Sequence, residues 1–243
     1  HMMNQVMEQG ADIEIDKVTG IRSDADFHTV LTEEGGAFEA RAVVIATGVR
    51  HRMLGLPGED DLVGDGISFC AVCDGDFYTD KVVCVAGGGN SALQEAVLLA
   101  SKCREVIMLQ DLEYFTGEER LQDALFANDN VRAYTNTSIE GLITGDDGLS
   151  GVRIADRTTG ESRIVDCDGL FVAIGLIPEN GAFAELADLN DWGYFDSDET
   201  CPTKPPGIFV AGDCRSKVTR QITTAVADGA TAALAACRYI NVG

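Results

Sequence analysis

The 243-residue chain predicts an α/β fold built as two sheet-containing halves, and three observations carry that expectation. Continuous apolar runs that close on glycine, at 42–46, 82–86, 169–175 and 207–213, suit parallel strands covered on both faces. The run at 82–86 passes through Gly87-Gly88-Gly89 into a helical stretch and then a further strand, which is a βαβ unit. Polar stretches with glycine and proline, at 50–58 and around Pro178, interrupt the chain twice and mark crossovers between the halves. At 45% hydrophobic and 24% charged, the composition is that of a folded globular chain, and no apolar run approaches the length of a membrane span.

Taken in order, residues 3–9 predict a helix that Gly10 ends. Residues 11–15, 27–32 and 37–40 are strand-like with turn residues between them, as in a small antiparallel meander. The buried strand at 42–46 closes on Thr47-Gly48. Beyond the first crossover and the strand at 82–86, residues 91–103 predict a helix with Ala92, Ala96, Leu99 and Cys103 on its inner side. Residues 106–109 form the next strand, and 118–127 a second helix. Short strands at 131–134, 139–144, 150–155 and 161–166 are joined by turns such as Gly145-Asp146-Asp147-Gly148. The buried strands at 169–175 and 207–213 flank the second crossover. An alanine-rich helix at 223–240 closes the chain, with Ile222, Val226, Gly229, Ala233 and Ala236 on one stripe. His1-Met2 ahead of Met3 reads as a cloning remnant.

The chemistry is concentrated at Cys70-Ala71-Val72-Cys73-Asp74-Gly75. Two thiols separated by two residues can close a small disulfide ring and reopen it, and the nearby partner lowers the pKa of the attacking sulfur. The same spacing is half of a four-cysteine zinc site, or a chance pair, but no second such pair occurs among the eight cysteines. Cys84, Cys103, Cys167 and Cys237 sit in apolar surroundings and suit small core residues, while Cys201 and Cys214 stand in loop-like contexts.

The second stretch is Gly87-x-Gly89-x-x-Ala92 between strand and helix. The first glycine permits the turn and the second lets the backbone approach a pyrophosphate. The small third residue lets helix and sheet pack closely. A glycine turn with no ligand remains the alternative. About twenty residues beyond such a turn, an acidic group holds the ribose hydroxyls of NAD; Gln110-Asp111 stand there. A 2′-phosphate wants arginine; none stands at 110–114, and Arg120 comes late. Asp213 lies just past the C-terminal end of a strand, the edge where open α/β sheets place ligands. Histidines 28 and 51 lie outside any motif, Trp192 suits packing, and the acidic runs at 59–61 and 196–199 suit solvated loops.

Together these stretches resemble the low-molecular-weight thioredoxin reductases and the related alkyl hydroperoxide reductase flavoprotein, from about residue 3 to the C-terminus. Residues 70–75 resemble that family's redox motif and residues 87–92 its pyridine-nucleotide motif. Residues 207–214 with Arg220-Gln221 resemble its flavin segment, and Ala46-Thr47-Gly48 supplies a fourth motif in the right order. The resemblance implies two Rossmann-like three-layer domains. Residues 50–176 are expected to bind NAD(P) and carry the dithiol, and 3–49 with 177–243 to form the FAD domain. That domain is incomplete by the family pattern, because the chain starts beyond the family's N-terminal strand–GxGxxG–helix unit.

By the same resemblance Cys70 and Cys73 are the dithiol, with Cys73 facing the flavin, and Asp74 moves protons to and from it. Gly87, Gly88, Gly89, Asn90, Ser91 and Ala92 cradle the nicotinamide cofactor's pyrophosphate, with Gln110 and Asp111 at its ribose. Ala46, Thr47, Gly48, Gly175, Gly212, Asp213, Arg220, Gln221, Ile222 and Ala225 are the other expected cofactor contacts. The implied activity passes electrons from NAD(P)H through FAD to the disulfide and on to a thioredoxin-like protein disulfide. The two crossovers are the implied hinges. FAD binding is expected to be weak or absent for want of the missing unit. NADH is favoured over NADPH, since Gln110-Asp111-Leu112 replaces the family's basic motif. The competing reading is a catalytically impaired nucleotide-binding or interaction module of the same fold. A reductase that has abandoned nicotinamide fits the retained 87–92 stretch poorly.

A net charge of −22 argues against nucleic acid and anionic membrane surfaces as partners. Eight cysteines without a signal-peptide pattern suit a reducing cytoplasm, and the resemblance implies a homodimer. No metal ligands are expected.

Overall fold

The structure is a computed structural model that describes residues 2–24, 27–146 and 148–242. The chain divides into two compact units, one made of His1–Arg50 with Ile177–Gly243 and the other of His51–Leu176. Where the chain passes between them, the short strands Val49–His51 and Leu176–Pro178 pair with each other.

The contiguous unit holds a five-stranded parallel sheet in the order Ile67–Ser68, Gly169–Val172, Val82–Ala86, Glu105–Leu109, Val131–Tyr134. Successive side chains of a strand leave opposite faces, and the sequence of each central strand is apolar on both. Val83, Val85, Val106, Met108 and Phe171 point to one face, where Leu93, Ala96 and Leu99 of the helix Asn90–Ala100 and Leu125 of the helix Glu119–Phe126 cover them. Cys84, Ala86, Ile107, Leu109 and Leu170 point to the other. There they meet Leu149, Val152 and Ile154 from an antiparallel sheet of Thr137–Gly145, Gly148–Asp156 and Ser162–Asp166. This unit therefore has three layers.

The discontinuous unit pairs Val43–Ile45 with Ile208–Val210 in parallel. Ile45, Ile208 and Val210 pack on Phe183 and Phe195, while Phe209 and Ala211 receive Ala232 and Ala236 of the helix Ile222–Val242. An antiparallel meander of Val18–Ser23, His28–Thr32 and Ala37–Ala40 and the helix Met2–Glu8 complete it. Among the described residues no helix is long and apolar enough to cross a membrane.

Several local expectations are corrected. Residues 11–15 alternate as a strand would, but they form no strand; Ile13 and Ile15 are exposed and the meander begins at Val18, which has a partner strand. Of the expected stripe on the last helix only Ala236 is buried, together with Ala232 from outside it, while Ile222 and Val226 are 73% and 58% exposed. Its seat on Phe209 and Ala211 is close, and alanine is what fits there. Cys237 is exposed, whereas Cys201 and Cys214 are buried. Trp192 points to solvent because the Asn190 side chain accepts the backbone N–H groups of Trp192 and Tyr194 and so fixes the turn. Asp147, in the expected 145–148 turn, and His1 lie outside the described residues.

The acidic run at 59–61 is not simply a solvated loop. Glu59 is 2% exposed and its carboxylate accepts the N–H groups of Leu54, Gly55 and Leu56 at 2.8, 2.8 and 3.2 Å. It closes a turn whose donors have no other partner of that strength. Glu59→Ala leaves those donors unsatisfied and is expected to cost about 3 kcal/mol in a urea-unfolding series. Glu59→Gln keeps an acceptor and costs less; equal midpoints for Glu59→Ala and the parent chain would remove this role.

Candidate active site

The cysteine turn is built by its small residues. Ala71 is fully buried in the core cluster that contains Leu99, and a side-chain carbon at Gly75 would lie 3.4 Å from Leu99 Cδ2. The turn thus sits on the helix Asn90–Ala100, and a residue larger than alanine at position 71 would lift it. Cys70 and Cys73 are joined as a disulfide with Cα atoms 5.3 Å apart. Cys70 caps the single helical turn Ala71–Asp74, and the Cys73 N–H donates to its sulfur at 3.2 Å. Ser68, which no sequence motif singles out, ties the turn together. Its hydroxyl donates to Asp74 Oδ2 at 2.6 Å and accepts the Cys70 N–H at 3.1 Å. Burial and then the Asp74 charge raise the Tyr78 phenol above its ordinary pKa. Val72 and Phe77 flank the disulfide, 73% and 74% exposed.

At the glycine turn, Gly87 has φ +123° and donates its N–H to Leu109 O, and a Cβ there would lie 2.5 Å from Ala173 O. Only glycine serves that position. A Cβ at Gly88 would strike the Gln110 side chain at 2.5 Å. Gly89 begins the helix Asn90–Ala100 without any side-chain cap, so the first-turn N–H groups from Asn90, Ser91 and Ala92 are left for an anion. A Cβ at Gly89 would have only Thr116 Oγ1, at 3.7 Å, within reach. The chain after the second strand folds back on this turn. Thr116 and Gly117 donate to Gly88 O, and Asn90 exchanges two hydrogen bonds with Glu118. These features fit a dinucleotide pyrophosphate.

Gln110 and Asp111 have different fates. Gln110 is 3% exposed, filling the space beneath Gly88 and donating to Tyr114 O, so it is turned away from any ribose. Asp111 is exposed, and Arg157 reaches it from the turn between two antiparallel strands. Arg120 is held by Glu118 at 2.6 Å. Sequence spacing gives no sign of Arg157, because it arrives through a hairpin 46 residues downstream.

In the discontinuous unit, Ala46, Thr47 and Gly48 follow one parallel strand and Gly212 and Asp213 the other, at the same sheet edge. Thr47 donates to Asn180 Oδ1. Gly48 and Gly212 have φ +68° and +80°. Arg220 donates to Asp213 O and lies 4.2 Å over the Tyr194 ring. Gln221 and Ile222 are exposed at the start of the last helix, and Ala225 lies next to Gly212. Gly175, φ +113°, belongs to the other unit and accepts the Arg52 N–H. Behind Asp213 lies a charge network: Arg215 to Asp228 at 3.2 Å, and Lys217 to Asp228 and Asp213 at 3.0 and 3.4 Å. Asp228 also accepts the Gly212 N–H. Asp213 Oδ1 is buried and makes no hydrogen bond, the Lys217 ammonium at 3.4 Å being its neighbouring cation. Among the described residues no group of three or more His, Cys, Asp or Glu is placed to hold a metal ion.

Residues 4–229 match the family of pyridine nucleotide-disulphide oxidoreductases. The chain is 37% identical over 242 residues to a thioredoxin reductase of Treponema pallidum, covering 99% of this chain and 78% of that protein. It is 35% identical over 240 residues to a thioredoxin reductase of Listeria monocytogenes, covering 99% of this chain and 75% of that protein. The crystal structure of thioredoxin reductase from Streptococcus pyogenes superposes with a TM-score of 0.89 at 35% identity, over 100% of this chain and 79% of that one.

Glu95, on the helix Asn90–Ala100, has a buried Oε2 without a partner, and burial raises its pKa from 4.5 to about 7. A carboxyl with a raised pKa stabilises the fold most below its ordinary value, and that stability is lost as pH rises through about 7. Glu95→Gln is therefore expected to be more stable than the parent by about 2 kcal/mol near pH 8.5, after allowance for its remaining solvent contact, and by little near pH 5. Thermal unfolding across that range checks it; a constant difference between the two chains would refute it.

Proposed function

Because the chain belongs to the pyridine nucleotide-disulphide oxidoreductase family, we propose that it is a thioredoxin reductase-like flavoprotein disulfide oxidoreductase. In this reading NAD(P)H is the electron source, the Cys70–Cys73 disulfide is the internal acceptor, and a thioredoxin-like protein disulfide is the final one. The observation that carries it is the seating of an exposed disulfide turn on the same helix whose N-terminus opens at the glycine turn.

Residues 50–176 are assigned as the NAD(P) domain with the dithiol, and 3–49 with 177–243 as the FAD-binding part. When bound, FAD supplies the two-electron link between reduced nicotinamide and disulfide. Gly87, Gly88, Gly89, Asn90, Ser91 and Ala92 hold the nucleotide's pyrophosphate, and Asp111 its ribose, which favours NADH. Ala46, Thr47, Gly48, Asp213 and the segment from Arg220 to Ala225 are assigned to the flavin, supported by the place of residues 46–48 and Asp213 just past the ends of the two parallel strands. Two electrons and two protons open the Cys70–Cys73 bond to a dithiol. Asp74, held by Ser68, exchanges a proton with that pair. A freed thiolate attacks the substrate disulfide, and the second thiol resolves the mixed disulfide, releasing reduced substrate and restoring Cys70–Cys73. The exposed Val72 and Phe77 suit an apolar protein surface at that step.

Among the described residues the discontinuous unit has no strand–glycine turn–helix element for an ADP moiety, so these 243 residues alone are expected to hold FAD weakly. The free buried thiols suit a cytoplasmic setting, and the exposed Val218, Ile222, Val226 and Leu234 suit a homodimer.

The test is NADH-dependent reduction of a disulfide dye with FAD added in excess. Turnover is expected, abolished by Cys73→Ser and slowed at least about tenfold by Asp74→Asn with an unchanged melting temperature. Tight NADH binding without turnover at saturating FAD would make the chain a nucleotide-binding module instead. Stoichiometric flavin retained through purification would contradict the weak-binding expectation.

A further inference from the structure

We propose that Asp111 and Arg157 together set how this chain discriminates between NADH and NADPH, with Arg157 a cation held in reserve behind the carboxylate. The inference rests on the nucleotide reading above and names a determinant within it.

In a βαβ nucleotide site the ribose 2′ position lies at the end of the second strand. That end is fixed here by the Gly87 N–H, which donates to Leu109 O. Of the two residues that follow, Gln110 is buried beneath Gly88, so Asp111 is the group presented to solvent. Arg157 Nη1 donates to the Asp111 backbone carbonyl at 3.0 Å and lies 3.6 Å from its Oδ2. The carbonyl contact does not depend on the Asp111 side chain.

The hairpin that carries Arg157 is pinned to the same loop through Asn136. The Asn136 N–H donates to Leu112 O, its carbonyl accepts the Arg157 N–H, and its amide donates to Thr158 Oγ1. The arginine therefore stays in place when Asp111 changes. In the native chain the carboxylate accepts ribose hydroxyls and cancels the guanidinium, and it repels a 2′-phosphate. The pair is half exposed, with side chains at 49% and 64%, so it is weak, and the guanidinium can turn to a phosphate at small cost. A phosphate offers it paired acceptors that the single carbonyl does not.

The experiment titrates the full chain with NADH and with NADPH, read by the quenching of its own fluorescence or by calorimetry, so that no flavin turnover is involved. Asp111→Asn is expected to tighten NADPH at least about tenfold, the scale of one charge-assisted contact. The double substitution Asp111→Asn with Arg157→Ala is expected to lose that gain, and Asp111→Asn with Arg157→Lys to keep part of it. Arg157→Ala alone should leave NADH within about threefold and weaken NADPH further. Equal NADPH affinity of Asp111→Asn with and without Arg157 would overturn the proposal while leaving the nucleotide site intact. Failure of the native chain to bind either nucleotide would overturn both.

Discussion

The helix Asn90–Ala100 is the constraint on which the contiguous unit depends. Its N-terminus must begin where the chain turns at Gly87, in a space bounded by Leu109 O and Ala173 O that admits no Cβ. Its body must pack Leu93, Ala96 and Leu99 into the sheet, and Leu99 at the same time supports the cysteine turn through Ala71 and Gly75. One rigid element therefore fixes the height of a backbone anion site and the seat of a disulfide. Steric exclusion supplies the precision at the turn, where a Cβ at Gly87 or Gly88 would meet Ala173 O or the Gln110 side chain at 2.5 Å.

The discontinuous unit is held in another way. Its parallel pair is short, three residues in each strand, and its edge carries Gly212 and Asp213. There a network of Arg215, Lys217, Asp213 and Asp228, mostly shielded from water, bridges the loop to the last helix. Shielded ion pairs add little net stability, since desolvation offsets the attraction, but removing one partner is costly, about 3–5 kcal/mol. The network's effect is geometric. It holds Asp213 at the edge of the parallel pair, with Oδ1 buried beside Lys217.

The parts of this arrangement legible in the sequence are those with a short period or a fixed spacing. Apolar runs locate the parallel strands, and the cysteine and glycine stretches stand where their own local geometry requires. Long-range arrivals are not legible. Ser68 bonds Asp74 from an adjoining strand, Glu59 is buried by its backbone donors although it heads an acidic run, and Arg157 reaches Asp111 through a hairpin. Each is a polar residue whose partner is chosen by tertiary folding, and neither periodicity nor spacing encodes that choice. The last helix misleads for a related reason. Ile222 and Val226 look like core by hydrophobicity, but the close approach to Phe209 and Ala211 selects alanines.

The split of one unit around the other bears on how the chain acquires its structure. Residues 51–176 are continuous and can condense before residues 177–243 have been synthesised. Joining Val43–Ile45 to Ile208–Val210 in an unstructured chain would mean closing a loop of more than 150 residues, with the corresponding loss of entropy. Once the insert has formed, the ladder between Val49–His51 and Leu176–Pro178 has already drawn the two strands' connecting segments together. The insert then serves as a clasp that shortens the loop the outer strands have to close.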